Sequence, residues 1–179
     1  MKITKDQLKG WDACRDGYEW FLRRFPEGEA EYQDALNALA DDDRPSDANW
    51  LMDHAGPDIN AVLEIESLVG LKHLFVAGSL IVKTGGRVTA WLRAGGGIEA
   101  GDGIEAGEGI KAGDGIEAGE GIKAGWGIKA GGGMGVFAGL RVRLDWWPTN
   151  AQVRAKTKPD NLVSGSWIEP DAKSETEVA

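Results

Sequence analysis

Between Ile98 and Gly133 the chain repeats one six-residue phrase, IEAGDG, IEAGEG, IKAGDG, IEAGEG, IKAGWG, IKAGGG, with isoleucine at 98, 104, 110, 116, 122 and 128. Within each phrase the order is Ile, charged, Ala, Gly, variable, Gly. In extended backbone, successive side chains point to opposite faces, so Ile and Ala share one side and the Glu or Lys between them takes the other. The Gly-x-Gly that follows suits a corner, where positive φ or a close backbone approach costs glycine least. An α-helix needs a 3.6-residue apolar period and few glycines, and this segment has neither. The same phase extends backwards to Leu92, Leu80, Leu74 and Leu68, missing only Gly86, and forwards to Met134 and Leu140, about 72 residues in all. Of the 27 glycines, 20 lie between Gly85 and Gly139, which sets this stretch apart from the rest of the chain.

These features predict a mainly β fold, a single-stranded β-solenoid (β-helix) of hexad repeats with isoleucine on its axis. Two coil sizes satisfy the pattern, three hexads in an 18-residue triangular rung or two in a flatter 12-residue rung. Charge stacking does not choose between them, because an 18-residue spacing pairs Glu105 with Lys123 but also Glu99 with Glu117. A bundle of polyproline II segments is the competing architecture, since small residues also recur at every third position. The bulky isoleucines, which need a core, and the strand-like VAGSLIV and RVTAWL argue for the solenoid.

A solenoid exposes unpaired backbone at its ends and needs caps. Residues 1–58 are expected to form an α-helical N-terminal cap. Thr4 would cap a first short helix, Asp12 a second carrying Cys14, Tyr18, Phe21, Leu22 and Phe25, and Ser46 a last one closed by Gly56 and Pro57; residues 29–40 supply the helix between. The solenoid would then occupy 59–140, a short β C-terminal cap 141–169, and a disordered tail 170–179.

The composition limits function. The net charge of −9 gives no excess of Lys and Arg for phosphate neutralisation, which argues against direct nucleic-acid binding. Residues 1–60 hold 14 acids against 7 bases, so a basic or nucleic-acid-binding protein partner is expected instead. One cysteine makes no internal disulfide, and no stretch is apolar enough for a membrane helix, so the expectation is a cytoplasmic protein with no membrane partner.

Catalytic and cofactor signals are weak. Gly101-Asp102-Gly103-Ile104-Glu105-Ala106 matches the dinucleotide fingerprint, but so do five neighbouring hexads, and none can be followed by the helix that the fingerprint requires. Two histidines and one cysteine are too few for a Cys/His zinc set, and Asp41, Asp42 and Asp43 lack EF-hand spacing. His73 is the single formal candidate for the histidine that some hexapeptide solenoids use in acyl transfer, yet no inserted arm accompanies it. The expectation is a non-enzyme with no cofactor, no metal and no catalytic residue. The candidate partner-binding residues are Trp126, which replaces an acid at a corner, the corner acids Asp102, Glu108, Asp114 and Glu120, and the N-terminal Asp41, Asp42 and Asp43. Packing of Trp126 against Trp146 or Trp147 is the competing assignment.

ITKDQLKGWDACRDGYEWFLRRFPEG, with its Ala-Cys pair and downstream Phe-Pro, resembles a helical module that heads many small phage and prophage proteins, several with GIxAG arrays ending in a segment like Ala138-Gly139-Leu140. The resemblance implies a phage context, in which small acidic proteins inhibit host-defence complexes as anti-CRISPR proteins do, acting in the host cytoplasm. The alternative is a self-associating structural protein resembling bactofilin polymers. A homodimer is left open.

Overall fold

The computed structural model describes residues 1–131 and 133–169, so the expected tail at 170–179 lies outside the described residues. From Val62 to Ile168 the backbone winds as a triangular β-solenoid of about six turns with three parallel sheets. One sheet stacks Leu74–Val76, Leu92–Ala94, Gly109–Ala112 and Gly127–Ala130. The second stacks six strands, Val62–Ile65, Ser79–Val82, Ile98–Ala100, Ile116–Ala118, Val136–Phe137 and Leu162–Ser164. The third stacks Gly86–Val88, Ile104–Ala106, Ile122–Ala124, Gln152–Arg154 and Ser166–Ile168.

The register settles the coil size. Ile98 pairs with Ile116, Ile104 with Ile122 and Ile110 with Ile128. Each partner lies three hexads further along the chain, so one turn is three hexads and the flatter rung is excluded. Isoleucine and alanine point inward as the alternation requires: Ile116, Ile122 and Ala118 are fully buried. Each isoleucine buried on the axis contributes about 2–3 kcal/mol of apolar transfer. At the corners it is close approach that demands glycine. A Cβ at Gly113 would stand 1.8 Å from the carbonyl oxygen of Gly95, and one at Gly119 equally near that of Gly101, both in the turn before.

The hexad phase does not continue to Met134 and Leu140, which are 50% and 55% exposed. Val136 takes the axial place above Ile116, two residues late, and Val153 takes the one above Ile122 after the chain has detoured through a short helix at Trp147–Asn150. Stacking tolerates such detours because a coil is held by its strand register and not by corner length. Residues 141–169, expected as a terminal cap, therefore carry strands that prolong two of the three sheets.

Before the solenoid come an antiparallel pair, Lys2–Thr4 with Glu29–Glu31, and four helices: α1 (Lys5–Gly10), α2 (Arg15–Arg24), α3 (Tyr32–Asp41) and α4 (Pro45–Ala55). Thr4 caps α1 as expected, and the Gln7 side chain completes a capping box with it. The other two expected caps differ. Asp12 sits in a left-handed turn (φ 58°), and the Cys14 sulfur accepts from the Gly17 N–H at the start of α2. Pro45 is the first residue of α4, which places Ser46 inside the helix. Tyr32, Ala35, Leu36, Leu39, Trp20, Phe21, Leu51 and Met52 form the module's core, and Phe75 of the solenoid is buried among them.

The module covers the open edge of the first sheet. The Gln33 side chain of α3 donates from Nε2 to the Phe75 carbonyl (2.8 Å) and accepts from the Ala77 N–H (2.9 Å), imitating the next strand. The second sheet ends at Val62–Ile65, beside which Ile59 (85% exposed) and Val69 (79%) stand in solvent.

Candidate binding surfaces

Because one turn is three hexads, positions one turn apart line up along an edge, and the three corners of each turn fall on three different edges. Asp102 and Glu120 share the edge between the second and third sheets with Thr84, since the Asp102 N–H bonds to the Thr84 carbonyl. Asp114 lies on the edge between the first and second sheets, its N–H bonded to Gly96. Glu108 and Trp126 share the remaining edge, where the Trp126 N–H bonds to the Glu108 carbonyl and the Lys156 N–H to that of Trp126. The residues singled out at the corners thus do not form one patch.

Outward side chains of the strands complete each face. On the second sheet, Glu99 pairs in register with Glu117, with Ile81 next along the stack on one side and Phe137 on the other. Neither glutamate has a cation within 4.0 Å among the described residues. Asp114 on one rim and Asp102 with Glu120 on the other enlarge this into an acidic side. Lys83, paired with Glu64 at 3.2 Å, and Arg141, lying along Gly101 and Gly119, are the cations placed there. Hydrogen bonding and attraction from Glu64 raise the Lys83 ammonium above its ordinary value. On the third sheet Glu105 stands in register between Arg87, 3.6 Å away, and Lys123, and Arg154 follows Lys123 along the stack.

The first sheet carries Phe75, Arg93, Lys111 and Lys129 outward. Phe75 and Arg93 are covered by the helical module. Arg93 donates to the Asn49 carbonyl (3.0 Å) and to Asp53 of α4 (2.5 Å), which also meets Lys111 at 3.2 Å. Burial opposes ionisation of Asp53, but the hydrogen bonds from Arg93 and Lys111 outweigh it and hold the carboxyl below its usual range.

The N-terminal acids do different work from one another. Asp41 is exposed at the end of α3. Asp42 accepts from the Trp20 indole at 2.7 Å. Asp43, left-handed at φ 55°, bonds to Lys72 (2.6 Å) and to His73 (2.8 Å), and these two hydrogen bonds lower its pKa. Asp42 and Asp43 are therefore engaged within the chain. His73 is buried against Phe75 and is not on an open surface.

Trp126 is 62% exposed, and its ring partner is the Lys156 ammonium, 5.0 Å from the centroid. Trp146 is itself exposed and Trp147 donates to the Val142 carbonyl, so the packing alternative for Trp126 is not realised. Among the described residues no group of three or more His, Cys, Asp or Glu could hold a metal ion, and no helix is long and apolar enough to cross a membrane. Gln33 and Arg93 escaped sequence reasoning. Gln33 is an ordinary polar helix residue, and Arg93 occupies the position where the hexads place solvent-facing charge.

Residues 1–55 match the family model of the YdhT N-terminal domain. The match ends with α4, and the solenoid lies outside it. No curated protein and no solved structure matches the chain.

Proposed function

We propose that the protein is a non-enzymatic, phage-type binding protein that inhibits a host factor by presenting its acidic solenoid side to a basic, nucleic-acid-handling protein. The observation that carries this reading is the registered Glu99–Glu117 stack. Like charges directly opposite each other in a sheet are destabilising, and a partner's Arg or Lys placed between them would relieve the repulsion of both. Asp102, Asp114 and Glu120 on the rims extend the field that steers such a partner, while half-buried Phe137 and exposed Met134 and Val163 supply apolar contact area beside it. The phage context rests on the resemblance of the N-terminal helical stretch. The test is capture from host lysate by the wild-type protein and by a Glu99→Lys, Glu117→Lys double variant. The wild type should retain a basic protein, with an association rate that falls steeply with salt, and the variant should not. Equal capture by both places the partner elsewhere.

Self-association is the second reading, and it is favoured by the uncovered Val62–Ile65 strand with Ile59 and Val69 beside it. Light scattering separates the two: a discrete small particle fits the inhibitor, and particles that lengthen with concentration fit the polymer.

A further inference from the structure

On the edge opposite the acidic side, the first sheet opens into a cleft of about 720 Å³. Its floor is backbone at Gly109 and Gly127, which pair in register, and its walls carry Trp91 and Trp126. Trp91, half-buried where it packs against the core of the helical module, also lies so close over Gly109 that a Cβ there would stand 2.4 Å from the ring, so a larger residue at 109 would displace the indole. Trp126 belongs to the turn two beyond that of Trp91, which separates their backbones by about 10 Å along the axis at the usual strand spacing. Lys129 and Lys158 line the same cleft, and Lys156 stands over the Trp126 ring. These three lysines have no carboxylate within 4.0 Å among the described residues, whereas Lys111 shares Asp53 with Arg93. Asp160 in the cleft and Glu108 on its edge are the opposing charges.

We infer that this cleft binds single-stranded nucleic acid, with bases stacked on Trp91 and Trp126 and phosphates held by Lys129, Lys156 and Lys158. Aromatic platforms interleaved with cations are what sequence-tolerant single-strand binding requires, because every base has a π face and every linkage a charge. A neutral glycan would use the rings and leave the lysines without partners. An acidic peptide or sulfated glycan would use the lysines and have no need of two indoles. The net charge of −9 argues against affinity for polyanions in general, but Glu99, Glu117, Asp102, Asp114 and Glu120 all lie on or beside the opposite face. This site is independent of the protein partner proposed above, since it uses none of the same residues.

The test is fluorescence anisotropy of a labelled twelve-nucleotide oligothymidylate at low salt, with a duplex of equal length and heparin as comparators. The single strand should bind more tightly than the duplex. Its log–log salt slope should be about −2, as expected for three neutralised phosphates on a single strand. Trp126→Ala should weaken binding by about tenfold, the loss of one stacked base, and Trp126→Phe should restore most of it. Lys129→Glu with Lys158→Glu should abolish binding, while thermal melting shows each variant folded. Absence of binding at low salt overturns the inference. So does equal affinity for duplex, heparin and single strand with no effect of Trp126→Ala, which would mark an unspecific polyanion patch.

Discussion

The helical module and the solenoid bury apolar surface in opposite ways. In the module, side chains of many sizes, from Ala35 to Leu36, Tyr32 and Trp20, interlock once, with no repeating order. In the hexads of the solenoid, a strand buries one branched side chain and one alanine, as Ile98 and Ala100 do, and the strand stacked on it in the next turn does the same. The first core depends on particular shapes and the second on a register. The difference teaches why the solenoid absorbs a two-residue slip before Val136 and a detour before Val153 with its axis still filled. The module has no repeat to fall back on, and the contacts by which it meets the solenoid include Phe75, Gln33, Asp53 with Arg93 and Lys111, and Asp43 with Lys72 and His73.

Ile116→Asp tests the register most severely, because Ile116 is fully buried and the new carboxylate would have only aliphatic neighbours. It should cost several kcal/mol and abolish the cooperative melt of the solenoid. Wild-type melting would refute the axial assignment. Removing whole turns is the complementary experiment. Deletion of residues 104–121 removes three hexads, one complete turn, and should leave a folded protein, since each turn touches only its neighbours. Deletion of residues 104–115 removes two hexads, moves every later strand onto the wrong face and should lower the melting temperature far more. The reverse ranking would contradict the triangular turn.

A smaller effect is expected at the seam. Gln33→Ala leaves the Phe75 carbonyl and the Ala77 N–H without their partners and should destabilise by about 1–3 kcal/mol, seen as faster hydrogen exchange at Ala77 while the amides of Ile116 and Ile122 stay protected. Unchanged exchange at Ala77 would mean that the strand edge is closed by something else.

The smallest effect is on acidification. The folded pKa values of Asp43, Asp53 and Asp58 are all lowered, Asp43 by Lys72 and His73, Asp53 by Arg93 and Lys111 against the cost of burial, and Asp58 by the N-terminal ammonium. Stability contributed by a lowered carboxylate is complete above its unfolded value near 3.9 and is lost as pH falls through the folded value. Between about pH 4 and the lower folded values the module–solenoid contacts should therefore loosen first. Exchange protection followed from neutral pH downwards should fall in residues 32–55 before it falls in the repeats, and simultaneous loss in both regions would show that these pairs do not hold the seam.

Much of the solenoid could be read from residues alone, down to which side chains of IEAGDG face inward, because strand alternation is local chemistry. Helix capping was legible at Thr4, where Gln7 completes the box, and misleading at Asp12 and Ser46, where Cys14 and Pro45 take the terminal positions. Met134 and Leu140 kept the sequence phase while the backbone left it. No local signal marks that departure, since Gly-rich corners of different lengths look alike in sequence. Trp126 and the corner acids share one position in the sequence repeat, yet the winding divides them across three edges.

The repeated alternation of Ile, charge and Ala with Gly-x-Gly corners was sufficient to determine a β-solenoid, because each strand's facing and each corner's need for glycine depend on residues adjacent in the chain. The number of hexads in a turn was decided by tertiary structure, and with it everything that depends on which residues become neighbours across successive turns. Coulomb energy falls with distance between side chains and takes no account of separation along the chain. Only the triangular winding therefore places Glu99 against Glu117 and sets Trp126 with its lysines on the far edge.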